Sequence, residues 1–167
     1  MKYSRETFVE CLVEHEGYRK HVYQDTLGID TVGIGRNLED RGITEEELAH
    51  LDFPNIEAVY EHGLEYADAV YLACNDIEIV EEELLRHHSC VSELSATRQM
   101  VLMDMAFNMG VPRLLKFKKM WTAIHEGDFD AASREMLDSR WAVQVGTRSQ
   151  KAALRMRIGE ESGKTAN

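Results

Sequence analysis

Two carboxylates and a hydroxyl fall within one short stretch, Glu16, Asp25 and Thr31, inside the run EGYRKHVYQDTLGIDTVGIGRNL from Glu16 to Leu38. One carboxyl group can hand a proton to a leaving oxygen. A second can take a proton from water or steady a developing positive charge, and a hydroxyl can help orient that water. A pair of carboxyl groups flanking a sugar-sized gap is the usual arrangement for breaking a glycosidic bond.

The elements that must position these groups are legible around them. Ser4 can cap a helix whose Phe8, Cys11, Leu12 and His15 repeat at i, i+3, i+4 and i+7, one buried face. Gly17 supplies a left-handed stop, which puts Glu16 in the last turn, at the negative end of the helix dipole. That end disfavours a carboxylate, and with partial burial it would raise the Glu16 pKa, as a general acid near neutral pH requires. Gln24 to Gly28 is turn chemistry. Thr31, Val32 and Ile34 are strand formers, so a hairpin over 18–38 is expected. Gly33 and Gly35 leave room for a ligand or another backbone to come close.

The string E-G-x-x-x-x-x-Y-x-D-x-x-G-x-x-T-V-G-I-G-R-N-L, with Tyr23, Gly28, Gly33 and Gly35 in place, resembles the motif of the phage-type lysozymes, the muramidase family of the T-even phage endolysins (glycoside hydrolase family 24). The likeness resumes at Ala106-Phe107-Asn108-Met109-Gly110 and from Ser139-Arg140-Trp141 through Thr147-Arg148, so it covers roughly 4–42 and 76–159. It implies an α+β, mainly helical fold of lysozyme type. A small β-hairpin lobe, a long connecting helix and a helical C-terminal lobe would lie about a cleft, all in one domain over 1–167. It also implies a catalytic set of Glu16 as acid, Asp25 and Thr31. Sugar contacts would come from Asn108, Trp141, Gln144 and Arg148, with Arg148 near the acid, where its charge would pull the Glu16 pKa down against the helix-end effect and leave the net direction open. Trp141 fits a second role equally well, a core tryptophan between short helices. Two positions depart from the pattern: Arg36 follows the Gly-Ile-Gly run where one family member has His, and Val145 stands where some have Thr.

Read in order, the chain expects a helix over 4–16 joined to the large lobe, then a small lobe over about 16–64. Thr44 with Glu47 makes a capping box. Leu51 to Asn55 interrupts that helix, Pro54 is placed to start another, and Gly63 breaks it. The stretch about 51–64 reads as a helical insertion packed on the small lobe. A connecting helix over about 65–88 would be roughly 33–36 Å long at 1.5 Å per residue. Its Glu81-Glu82-Glu83 run reads as a solvated face, and His87-His88 as dipole partners at its end. The helical lobe over about 95–159 begins with a Ser95-capped helix to Met109, stopped by Gly110. Val111-Pro112-Arg113 is a turn, Leu115–Glu126 a helix ended by Gly127, and Asp128 caps another to Leu137. Trp141 follows a break, and Thr147 caps a last helix to about Ile158. Glu160 to Asn167 reads as a tail.

Composition bounds the partners. The net charge is −11 over 167 residues, unevenly spread. Residues 39–93 hold sixteen Asp and Glu against Arg41 and Arg86, a net of −14, whereas 113–157 hold ten Lys and Arg against five acids, a net of +5. This suits either a basic lobe facing an acidic polymer or ordinary solvated helix faces. Cys11, Cys74 and Cys90 are odd in number and at no metal-ligand spacing, so free thiols are expected. The N-terminus has no signal-peptide h-region. With the resemblance, this implies a monomer held in the host cytoplasm that reaches the wall after holin-mediated release. Its partner would be peptidoglycan glycan strands, without nucleic acid, stable membrane association, metal or cofactor. The resemblance implies inverting hydrolysis of the β-1,4 bond between N-acetylmuramic acid and N-acetylglucosamine, with host lysis as the outcome. The alternatives are a virion-associated muramidase, a lytic transglycosylase and a non-catalytic peptidoglycan- or protein-binding module.

Overall fold

The computed structural model describes residues 1–159, so the 160–167 tail lies outside the described residues. The chain is a mainly helical α+β protein with one small antiparallel sheet. It divides into two compact units, Arg5–Glu78 and Met1–Ser4 together with the chain from Ile79 onward.

The first unit opens with α1 (Arg5–Glu16), whose Phe8, Val9 and Leu12 are buried. Gly17, at φ 74°, ends it with its N–H on the Val13 carbonyl. Strands β1 (Arg19–Gln24), β2 (Asp30–Gly33) and β3 (Arg36–Asn37) follow in that order. The sequence announced the first two; the third is an addition. It is only two residues long, too short for a period-2 pattern to show. Tyr23 pairs with Thr31 and Thr31 with Asn37. Because side chains alternate across a sheet, Val32 points the other way, into a buried apolar cluster with Leu38, Ile43, Val59, Leu64 and Leu72.

Helix α2 (Glu45–His50) carries the expected capping box, with Thr44 Oγ1 accepting the Glu47 N–H and Glu47 reaching back to the Thr44 N–H. Helix α3 (Ile56–His62) is capped by Asn55, not started by Pro54. The Asn55 side chain accepts the Ala58 N–H at 3.0 Å and outcompetes proline's fixed φ as the start signal. Helix α4 (Tyr66–His87) is the long helix expected over 65–88, and the boundary between the two units falls within it. Glu81 is not on a solvated face: it is 9% exposed and takes a hydrogen bond from Tyr3 Oη.

A 3₁₀ turn over Ser89–Glu93 leads to α5 (Ala96–Met109), capped by Ser95 and stopped at Gly110, φ 83°. Every residue of α5 from Val101 to Ala106 is buried, which makes it the centre of the second unit. Buried Gln99 is satisfied by the Val91 and Ser92 carbonyls and the Lys2 N–H. Where a turn was expected, Val111–Leu114 forms a short helix, α6, with Pro112 inside its first turn, where a missing N–H costs nothing. The next helix, α7 (Lys118–Glu126), begins three residues later than expected, and Gly127 ends it. Asp128 caps α8 (Phe129–Leu137) as read. As expected, Trp141 follows a short break: Asp138 and Ser139 separate α8 from α9 (Arg140–Val145), whose Ser139 cap accepts the Ala142 N–H. In α10 (Thr147–Ile158), Thr147 is the first helical residue and makes no side-chain cap. Arg98 closes its far end, donating to the Met156 and Arg157 carbonyls. Cys11, Cys74 and Cys90 take part in no disulfide among the described residues.

Candidate active site

Glu16 ends α1 and meets the sheet through Gly35. A Cβ built on Gly35 would lie 3.4 Å from Glu16 Cγ and 3.5 Å from its Cβ, and φ there is +73°. Only glycine takes that backbone at no steric cost while letting the glutamate lie flat against it. Glu16 itself is exposed, so the partial burial expected of it is not there.

Asp25 closes the hairpin turn. Its Oδ1 accepts the N–H groups of Leu27 at 2.8 Å and Ile29 at 2.9 Å, an Asx-type turn. Both bonds fall on one oxygen, which leaves Oδ2 for water. Thr31 is 5% exposed and donates from Oγ1 to the Ile29 carbonyl at 3.0 Å. Its hydroxyl proton is thus spoken for, and its lone pairs are what it can offer a water. Ile29 serves both groups, with its N–H on Asp25 and its C=O taking Thr31.

Tyr23, on β1, feels the charge of both carboxylates. Its phenol is pushed above the usual range, first by burial; Arg19, 4.3 Å over the ring, opposes, and the charges of Glu16 and Asp25 add to the rise. The hydroxyl therefore stays protonated at neutral pH. The motif named Tyr23 but no role for it; only the register, which sets it across from Thr31, gives it one.

Arg36 is buried at 3%. It donates to Glu47 at 2.5 Å, Asp76 at 2.7 Å and the Gly42 carbonyl at 2.9 Å, and Arg41 shares Asp76 at 2.9 Å. The guanidinium ties β3 to α2 and α4, a network that sequence reading did not anticipate. The Glu47 carboxyl is pushed up by burial, but bonds from Asn75, the Thr44 N–H and Arg36 outweigh this and hold it below the usual range. For Asp76 burial wins over Arg36 and Arg41, and its carboxyl lies above that range.

The four residues expected to touch sugar lie in the second unit. Asn108 Oδ1 accepts the Trp141 indole N–H at 3.0 Å. Trp141, 5% exposed, and Gln144 line a depression of about 780 Å³ with Phe117, Lys118, Lys119 and Arg140. Arg148 grips Asp104 with two bonds, 3.1 and 2.7 Å, a bidentate pair.

Comparison with known proteins places the chain in a family. The phage lysozyme family model matches residues 13–161. This chain belongs to the phage lysozyme family. Over 158 residues it is 28% identical to the pre-baseplate central spike protein Gp5 of Enterobacteria phage T4, covering 89% of this chain and 27% of that protein. The chain therefore spans about a quarter of the spike protein's length. It is also 28% identical to probable T4-type lysozyme 2 of Dictyostelium discoideum, covering 85% of this chain and 88% of that protein. Against probable T4-type lysozyme 1 of the same organism the identity is 26%, with the same coverage. A lysozyme-like glycosidase is the function these likenesses support.

Proposed function

We propose that this protein is a muramidase that hydrolyses the β-1,4 bond between N-acetylmuramic acid and N-acetylglucosamine in peptidoglycan, with inversion. Glu16 protonates the leaving glycosidic oxygen. A water gives one hydrogen to Asp25 Oδ2 and the other to Thr31 Oγ1, and its lone pair is then directed at the anomeric carbon. The observation that supports this reading is the seat of Glu16 against Gly35, in the turn between β2 and β3, with Thr31 on β2 and Asp25 one residue past β1. Large-unit contacts to the glycan strand come from Asn108, Trp141, Gln144 and Arg148. The biological role that fits is an endolysin, a monomer held in the host cytoplasm and released to the wall by a holin. The likeness to a phage spike protein favours a second role with the same chemistry, a virion-borne enzyme.

The test is clearing of permeabilised Gram-negative cells by wild type and Glu16→Gln, with mass analysis of the released fragments. The variant folds normally and loses about 10²- to 10⁴-fold in rate, the range for a general acid. Reducing-end saccharides identify hydrolysis. Anhydro sugars would replace the reaction by transglycosylation, and full activity of the variant would remove Glu16 from the role of acid.

A further inference from the structure

The segment between α2 and α4 is fastened to the hairpin at several points. Leu64 donates its N–H to the Lys20 carbonyl at 2.8 Å, and the Leu64 carbonyl takes Tyr18 Oη at 2.7 Å. Lys20 Nζ pairs with Glu65. From the middle of α3, Tyr60 Oη donates to Asp30 Oδ2 at 2.9 Å. Asp30 sits between Ile29, whose N–H and C=O bind Asp25 and Thr31, and Thr31 itself. Its backbone is held as well, the carbonyl by the Leu38 N–H at 2.8 Å and the N–H by Glu39 at 3.3 Å.

We infer that α3 is a brace for the catalytic hairpin and that Tyr60 is a positioning residue, fixing Ile29-Asp30-Thr31 so that the Asp25 carboxylate and the Thr31 hydroxyl hold one water between them. This rests on the muramidase reading for its catalytic half. The geometry is independent of it. The bond is half-exposed, and its acceptor is charged, so it is stronger than a neutral pair. Tyr60 is itself pushed above its usual range, by burial first and then by its bond to Asp30 and the charges of Asp30 and Glu39, so the donor proton stays in place at neutral pH. A water-activating pair tolerates little displacement, because misplacement by 1 Å can cost two orders of magnitude in rate.

The experiment compares wild type, Tyr60→Phe, Asp30→Ala, the double variant and Asp30→Asn. It reads amide hydrogen exchange at Leu27, Ile29 and Thr31, and kcat and KM on soluble glycan fragments. Tyr60→Phe speeds exchange at those three amides. It lowers kcat about three- to tenfold and leaves KM within about twofold. Asp30→Ala does the same and adds nothing on top of Tyr60→Phe, whereas Asp30→Asn, which keeps an acceptor, restores most of the rate. Unchanged exchange in Tyr60→Phe overturns the brace. Faster exchange with unchanged kcat in an active enzyme overturns the positioning role. A wild type inactive on glycan fails the muramidase reading instead, and the exchange data still decide the brace.

Discussion

At the scale of single residues, the site depends on side chains that are missing. Gly35 holds a positive φ, and its Cα lies against Glu16. Gly35→Ala adds a methyl at ordinary contact distance from Glu16 but forces a backbone that L residues resist, costing about 1–3 kcal/mol. The expected outcome is a lower thermal midpoint together with a loss of activity greater than the stability loss explains. Assays well below the melting temperature separate the two. Glycan cleavage at the wild-type rate would mean that Glu16 needs no support from the sheet. The three catalytic candidates were legible because the motif is local, from Glu16 to Leu38, and glycine spacing announces where backbone comes close. Arg36 was legible as a residue and not as a role. Its partners Glu47 and Asp76 lie 11 and 40 positions away, and no short-range pattern encodes such a meeting.

At the scale of elements, most boundaries followed from caps that are themselves local: Thr44, Ser95 and Asp128 were read as helix starts and are helix starts. The misreadings share a cause. Pro54, Pro112 and Thr147 each carry a strong single-residue signal that the surrounding chain overrode: Asn55 caps α3, Pro112 sits in the first turn of α6, and Thr147 is already helical. His88 was read as a helix-end charge and lies just past α4, stacked on Trp121 at 3.7 Å between ring centroids, with its Nδ1 3.2 Å from His125 Nε2. Of the glycines in the first unit, Gly63, between α3 and α4, has the closest neighbour. Gly63 takes φ +73°, and an added Cβ would lie 2.5 Å from the Lys20 carbonyl oxygen. Gly63→Ala cannot be relieved by a side-chain rotation, because backbone is what it strikes. The loss should exceed about 2 kcal/mol in denaturant unfolding, well above the loss from Gly35→Ala. Equal losses would show that α3 can shift away from β1.

At the scale of the whole molecule, the two units carry different acid-sensitive groups. His88, in the second unit, titrates below its usual range, through burial first and then the charges of His125 and His87. Its folded form therefore prefers to be neutral. The stability it protects is complete above the unfolded value of about 6.5 and drains away as pH falls through that value toward the folded one. Glu47, in the first unit, is a depressed carboxyl, so its contribution is present above the ordinary glutamate range and is lost as pH falls through the folded value. Asp76 is raised and takes up its proton earlier in the folded chain, which partly offsets Glu47 in the same unit. Thermal midpoints measured against pH should show a first decline near pH 6.5 and a second, shallower one below about 4.5. His88→Phe keeps a flat ring on Trp121 and removes only the first decline. A first decline that survives in His88→Phe would assign it to another group. In the described residues no helix is long and apolar enough to cross a membrane.

The fastening of α3 to β1 also has a meaning in time. Synthesis delivers Glu16, Asp25 and Thr31 first, but the Lys20 carbonyl has no partner until Leu64 is made, and Asp30 has none on α3 until Tyr60 is made. The hairpin must wait for some thirty residues of later chain before its geometry is fixed, and a ribosome adding roughly 5–20 residues per second makes that wait last seconds. A chain cut short before α3 would carry all three proposed catalytic residues and lack the part that holds them still.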